Sequence, residues 1–143
     1  MITPATERLS VVVEREFPHP PDRLWRALTQ PHLIEEWLMK NDFKAAVGHR
    51  FNLRGDWGGV LDCEVLAIEP EKTLTYAWNH SHDDPAYALH SVVTFTLTPT
   101  RTGTHLRMEQ SGFRPDQKQA YGGAKAGWRQ FLGNLEQVLA RLD

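Results

Sequence analysis

The C-terminal segment, from about Gln119 to Leu142, carries the pattern that most restricts how this chain can fold. Its apolar residues recur at a spacing of about 3.6 residues and form one broad stripe, which predicts a long amphipathic helix. The stripe consists of Tyr121, Ala124, Trp128, Phe131, Leu132, Leu135, Val138, Leu139 and Leu142. A single helix of this kind must bury its stripe against another layer of the fold.

The middle of the chain supplies that layer as a series of predicted β-strands. Apolar and polar residues alternate from Leu9 to Phe17, as in a half-buried strand. An alternating segment with Phe51 and Leu53 precedes a Gly-rich turn at 55–59. Further strands are predicted at Val60–Ile68, Thr73–Asn79, Leu89–Thr98 and His105–Ser111, joined by turns at 69–72 and 99–103 and by a polar loop from His80 to Ala86. Such short connections favour an antiparallel sheet.

Two short helices are predicted after the first strand. Prolines at 20 and 21 end the strand, and Leu24, Trp25 and Leu28 then recur at helical spacing between Asp22 and Leu28. A second helix starts near Pro31 and places Leu33, Ile34, Trp37 and Leu38 on one face. The whole order predicts an α+β fold, in which a strongly curved antiparallel sheet wraps around the long C-terminal helix.

Composition limits the classes of protein that this chain can represent. Its 143 residues predict one domain, spanning 1–143. The formal net charge of -2, without a Lys/Arg-rich run, weighs against a nucleic-acid partner. Cys63 is the only cysteine, so neither an intrachain disulfide nor a cysteine zinc site is expected. We find neither a signal-peptide pattern at the N-terminus nor an apolar run long enough for a membrane span, and therefore predict a cytoplasmic protein.

Short sequence elements along nearly the whole chain occur in a characteristic order. They are Phe17–Trp25 with Ala27–Thr29, Pro31 with Leu33 and Trp37, Gly48 with Phe51, Glu64–Val65 with Ile68–Pro70, Leu74 with Tyr76 and Trp78, Val92–Phe95 with Leu97–Pro99, Gly103–Thr104 with Leu106, Gly112–Phe113, and Gly127–Trp128 with Leu132 and Leu135. Together they resemble the START-like (SRPBCC) superfamily, which includes the birch pollen allergen, and within it the branch related to the activator of the heat-shock-protein-90 ATPase.

The resemblance implies a helix-grip fold with a cavity between the curved sheet and the C-terminal helix. Members of the superfamily bind hydrophobic small molecules, act as cyclases or hydrolases, or serve as chaperone partners, so the fold permits several functions. The chain departs from the family pattern at His49, where a second glycine often follows Gly48. It departs again at Cys63, where a strand-bending glycine often precedes the Glu-Val pair. Both departures affect the expected shape of the cavity.

Aromatic residues give the main indication of a binding site. The expected ligand-binding residues are Trp37, Phe51, Leu53, Trp78, His90, Phe95, Met108, Phe113, Gly127, Trp128 and Phe131. Five tryptophans exceed what a small core requires, and ligand pockets are mainly apolar and aromatic. Four glycines also interrupt the last helix, at 122, 123, 127 and 133. They indicate either a close approach of helix and sheet or volume left open for a ligand.

Polar residues offer weaker candidates. Those that could enter the cavity are Arg54, Glu64, Asn79, His90 and Glu109, although bulges in a bent sheet leave their direction open. His80, His82, Asp83 and His90 are the nearest approach to a metal site, but histidines in a polar loop are usually solvated, so no metal is predicted. The acidic pairs Glu35–Glu36 and Asp83–Asp84 are interpreted as surface residues.

The favoured hypothesis is a domain that binds an apolar or aromatic small molecule without a cofactor and without a catalytic residue. One alternative is a cyclase or hydrolase that uses polar groups of the cavity to polarise a carbonyl. A second alternative is a chaperone-interaction module. A buried carboxylate or histidine with a shifted pKa inside the cavity would favour the enzyme.

Overall fold

A computed structural model describes residues 8–56, 58–85 and 87–142 of the chain. The expectations for the N-terminal residues 1–7, for Trp57 in the turn and for Ala86 in the loop lie outside the described residues. The elements are β1 (Leu9–Phe17), α1 (Pro21–Thr29), α2 (Pro31–Trp37), β2 (Lys40–Asn41), β3 (Arg50–Arg54), β4 (Val60–Glu69), β5 (Thr73–His80), β6 (Leu89–Pro99), β7 (Thr104–Phe113) and α3 (Lys118–Arg141).

All strands join one seven-stranded antiparallel sheet in the order β1-β7-β6-β5-β4-β3-β2. The chain starts at one edge of this sheet and then crosses, through α1 and α2, to the opposite edge. The remaining strands return by hairpins until β7 pairs with β1. This architecture confirms the predicted α+β helix-grip fold, and the predicted strand limits agree to within one or two residues. The two-residue edge strand β2 was not predicted.

The sheet bends at two β-bulges, where one strand has an extra residue without a partner on the neighbouring strand. In β4, Val65 pairs with Tyr76 and Ala67 pairs with Thr75, so the residue between them has no partner opposite it. In β7, Gly112 occupies the same kind of position opposite the start of β1. Its φ of 123° suits glycine, and a Cβ there would lie 2.4 Å from the carbonyl oxygen of His90. Bulges of this kind increase strand bending and local twist, which gives the sheet a concave and a convex face.

The long helix α3 lies against the concave face, and its two halves make different contacts. The C-terminal half buries Leu132, Leu135 and Leu139, and the helix as a whole packs on β1, α1 and α2. The N-terminal half starts at Gln117, whose side-chain amide donates to the carbonyl oxygen of Ala88 at 2.7 Å and accepts from the backbone N–H of Arg114 at 2.9 Å. These bonds fix the start of the helix above the β5–β6 loop.

Candidate functional site

An apolar cavity of about 280 Å³ lies between the N-terminal half of α3 and the ends of four strands. Its lining residues are Met39, Leu61, Trp78, Leu89, Gln110, Phe113, Ala120, Gly123, Ala124, Gly127, Trp128 and Phe131. The strands contribute large apolar side chains from the concave face, whereas α3 contributes mostly small residues. The cavity reaches solvent along α3, where Ala120 and Gly123 are exposed.

The glycines of α3 do not mark a close contact with the sheet, and two of them, Gly123 and Gly127, line the cavity. A Cβ built at Gly122 or Gly123 would meet no atom within 4 Å, and one at Gly127 would meet only the ring of Phe131, at 4.0 Å. At Gly133 the nearest atom belongs to the guanidinium of Arg15, at 3.8 Å. Of the two interpretations of these glycines, the geometry therefore favours open volume for Gly123 and Gly127.

Aromatic rings form the floor of the cavity and continue into the core. The ring centroids of Trp78 and Trp128 lie 5.2 Å apart, and those of Trp128 and Phe131 lie 5.5 Å apart in an edge-to-face arrangement. Behind them, Phe95 contacts Trp128 at 5.8 Å between centroids. Edge-to-face contacts are favourable for aromatic rings because the positive ring edge meets the negative ring face. The cavity is thus bounded by this aromatic cluster, to which α3 itself contributes Trp128 and Phe131, and by small residues of the same helix.

One chain of hydrogen bonds crosses this apolar region. The indole Nε1 of Trp128 donates to the Oε1 of Gln110 at 2.7 Å, and the Nε2 of Gln110 donates to the Oγ of Ser91 at 3.0 Å. Ser91 Oγ in turn donates to the carbonyl oxygen of Trp78 at 2.5 Å. Gln110 is 2% exposed and lines the cavity. Sequence reasoning missed both Gln110 and Ser91, although the apolar alternation of Leu106 and Met108 places Gln110 on the same face.

The expected ligand-binding residues fall into three groups. Trp78, Phe113, Gly127, Trp128 and Phe131 line the cavity. Trp37, Phe51, Leu53, Phe95 and Met108 are buried in the core beside it. Trp37, for example, donates its Nε1 hydrogen to the carbonyl oxygen of Ala27 at 2.8 Å and thereby ties α2 to α1. His90 is exposed on the convex face of the sheet, because its neighbour Ser91 takes the inward position.

The other polar candidates also lie on the convex face. Arg54, Glu64, Asn79 and Glu109 alternate along their strands with buried neighbours that face α3, and none of them lines the cavity within the described part of the chain. Three of them have partners: Glu64 pairs with Arg50 at 3.4 Å, Glu109 accepts from Arg107 at 2.8 Å, and Asn79 Oδ1 accepts from the backbone N–H of Ser91 at 3.2 Å. The direction of these residues, which the sequence leaves open, is therefore outward, because a shift of one residue along a strand exchanges the two faces.

The loop histidines make local contacts. Nδ1 of His80 lies 3.1 Å from the carbonyl oxygen of Tyr87, and Nδ1 of His82 accepts from the backbone N–H of Asp84 at 3.0 Å. Over residues 8–56, 58–85 and 87–142, no group of three or more His, Cys, Asp or Glu side chains has an arrangement that could hold a metal ion.

Two buried groups have raised pKa values, and neither lines the cavity. Burial, assisted by the nearby charges of Asp62 and Asp42, raises the pKa of the Cys63 thiol to about 12. Burial also raises the pKa of the Tyr76 hydroxyl well above its usual value, with a smaller contribution from Cys63. Both groups are neutral at physiological pH, and a protonated buried thiol is a poor nucleophile. Cys63 and Tyr76 therefore belong to the core.

The curved sheet, the C-terminal helix laid across it and the cavity between them define a START-like helix-grip domain. Residues 18–140 match the family described as activator of Hsp90 ATPase homolog 1-like protein, and the chain belongs to that family. The resemblance inferred from the sequence is thereby confirmed. No curated protein shows significant similarity to the chain. Across the described residues, no helix is both long and apolar enough to cross a membrane.

Solved structures show the same architecture. Protein MLL2253 from Mesorhizobium loti is 76% identical, with a TM-score of 0.92 over 94% of this chain and 99% of that protein. DynU16, from the dynemicin biosynthetic locus, is 26% identical with a TM-score of 0.80, and the match covers 92% of this chain but 47% of DynU16. CalU16 from Micromonospora echinospora, at 24% identity, shares the fold with a TM-score of 0.78 over 97% of this chain and 81% of CalU16.

Proposed function

We propose that this protein is a single helix-grip domain that binds one neutral hydrophobic or aromatic small molecule in the cavity beneath α3. The observation that carries the proposal is the lining, in which apolar side chains surround a single amide, that of Gln110. Small-molecule pockets are typically apolar with a few polar groups that orient the ligand. A volume of about 280 Å³ suits a small ligand. We also propose a cytoplasmic location, consistent with a single, buried, unpaired Cys63.

The aromatic floor explains why a ring-containing ligand would bind well. A planar ligand can lie against the rings of Trp78, Trp128 and Phe131, beside Gly123 and Gly127, which present no side chain to it. Burial of apolar surface contributes about 25 cal/mol for each Å² removed from water. Edge or face contacts with the tryptophan rings add about 0.5–1.5 kcal/mol for each pair.

The lining also bears on the two alternatives. Within the described residues, every side chain that lines the cavity is neutral, and the buried groups with raised pKa values, Cys63 and Tyr76, lie elsewhere. This supports binding over a cyclase or hydrolase that uses an acid or base in the cavity. The chaperone alternative rests on the description of the family, whereas ligand binding is supported by a cavity observed in this protein.

The test is a titration with a panel of flavonoids, fatty acids, sterols and polyketides, read by tryptophan emission and native mass spectrometry. We expect one molecule to bind per chain and to change the emission of Trp78 and Trp128. Binding should also raise the unfolding free energy, by about 2.7 kcal/mol at a free ligand concentration one hundred times the Kd. A panel without any saturable signal would contradict the proposal, and a ligand recovered in chemically changed form would favour the enzyme.

A pair of substitutions on α3 locates the site. Gly127→Leu places a large side chain in the cavity, where only the Phe131 ring lies within 4 Å of the new Cβ, and should abolish binding. The matched control is Ala126→Leu, because Ala126 is exposed and does not line the cavity. Leucine favours a helix more than glycine does, by roughly 1 kcal/mol, so Gly127→Leu should stay folded. Equal affinity of the two variants would place the ligand elsewhere.

A further inference from the structure

Gln110 combines three properties that point to a role in choosing the ligand. Its side chain is nine-tenths or more buried, it lines an otherwise apolar cavity, and both ends of its amide are held by other residues. Glutamine is mostly found at protein surfaces, so a buried example at a cavity wall requires an explanation. The hydrogen bonds around it provide one.

The direction of the whole chain of hydrogen bonds is determined by its two ends. An indole Nε1 can only donate, so the Gln110 oxygen must face Trp128 and the Gln110 nitrogen must face Ser91. At the other end, the carbonyl oxygen of Trp78 can only accept, so the hydroxyl hydrogen of Ser91 is directed to it. Ser91 Oγ therefore accepts from Gln110. The amide cannot turn over without breaking both of its bonds.

This arrangement leaves one hydrogen of the Gln110 amide unused. The Nε2 carries two hydrogens, of which one is donated to Ser91, and the other has no partner among the described residues. The Nε2 atom is therefore satisfied once, by Ser91, and its second hydrogen can gain a bond when a bound molecule supplies an acceptor. Among the other side chains known to line the cavity, only the thioether sulfur of Met39 is an acceptor, and a weak one, since the rest are aliphatic, aromatic or glycine.

On this basis, and resting on the proposed function, we propose that Gln110 is a specificity-determining residue that donates its free N–H to a carbonyl oxygen of the ligand. A carbonyl oxygen needs only a donor, which is what Gln110 offers. A carboxylate would be buried without a cation, because the described lining residues carry no charge. The ligand class is therefore a neutral aromatic or apolar molecule with a ketone, ester or similar carbonyl group.

The test compares two probes of the same shape, 2-acetylnaphthalene and 2-isopropenylnaphthalene, which differ in having C=O or C=CH₂. Their affinities are measured by equilibrium dialysis for the unchanged protein, for Gln110→Met and for the matched control Gln137→Met, whose glutamine is exposed on α3. We expect the ratio of ketone to alkene affinity to fall roughly fivefold in Gln110→Met, the value of one ordinary hydrogen bond. The ratio should not change in the control. A ratio that is the same in all three proteins would overturn the proposal.

A spectroscopic measurement keeps the proposal testable if Gln110→Met does not fold. The carbonyl stretch of ¹³C-labelled 2-acetylnaphthalene bound to the unchanged protein should lie at lower frequency than in an alkane solvent, because a hydrogen bond weakens the C=O bond. A bound frequency equal to that in alkane would refute the role of Gln110 while leaving ligand binding intact. If neither probe binds the unchanged protein, aromatic binding fails, and the assignment of Gln110 fails with it.

Discussion

The two faces of the sheet use polar residues in opposite ways. On the concave face, the buried polar residues include Ser91 and Gln110, which are neutral and joined in one directed chain of hydrogen bonds. On the convex face, charged side chains are partly exposed: Glu14 and Glu16 of β1 pair with His105 of β7, and Arg107 pairs with Glu109 along β7. A buried polar group is costly unless it is bonded, whereas a solvated charge costs little. Buried polar residues on the concave face therefore indicate function more clearly than the exposed charges on the convex face do.

The largest loss of stability is expected from removing the side chain of Trp128, which α3 packs against the concave face. Its ring is 2% exposed, contacts Trp78, Phe95 and Phe131, and donates to Gln110. Trp128→Ala should lower the free energy of unfolding by about 3–5 kcal/mol, as measured by urea denaturation. A change within about 0.5 kcal/mol, typical of exposed positions, would mean that this face of α3 is wrongly assigned.

A smaller loss of stability is expected from removing one serine hydroxyl on the concave face, and a second serine on the neighbouring strand serves as the comparison. Ser91→Ala removes the hydroxyl that accepts from Gln110 and donates to Trp78, so two buried groups lose a partner. We expect a loss of about 1–3 kcal/mol of unfolding free energy. The control Ser111→Ala lies on the neighbouring strand, one residue after Gln110 and half-buried, and should change stability by no more than about 0.5 kcal/mol. Equal effects would show that the chain of hydrogen bonds contributes no stability.

The same comparison shows what could be read from the sequence. Strand alternation and the helical stripe are local patterns, so the order of elements, the antiparallel sheet and α3 were predicted. The polar groups of the cavity were not predicted. Whether His90 or Ser91 faces inward, and whether Glu109 or Gln110 does, depends on a shift of one residue along the strand. The extra residues in β4 and β7 lie beyond these positions, so the sequence does indicate the phase near Gln110 through Leu106 and Met108, but it does not show which inward residues line a cavity. Neither could it separate Phe95 in the core from Trp78 at the cavity wall.

Substitution of His105 on the convex face should change the free energy of unfolding least, and the change should depend on pH. Nδ1 of His105 lies 2.9 Å from Glu16 and Nε2 lies 2.9 Å from Glu14. Both ring nitrogens can donate only when the imidazole is protonated, and these two hydrogen bonds raise the pKa of His105 from its ordinary value of 6.5. Because the folded pKa is raised, the stabilisation is fully present below the unfolded pKa and is lost as the pH rises through the folded pKa.

The side chains of His105, Glu14 and Glu16 are 33%, 51% and 60% exposed, so solvent screens this interaction. We expect His105→Gln to cost no more than about 0.5 kcal/mol at pH 5 and to have almost no effect at pH 9. The difference in unfolding free energy between the two proteins, measured at both pH values, isolates His105 from the other histidines. It should shrink in 1 M salt, where the Debye length is about 3 Å. A difference that grows with pH would show that His105 is stabilised in its neutral form and that the convex face is not organised by charge pairing.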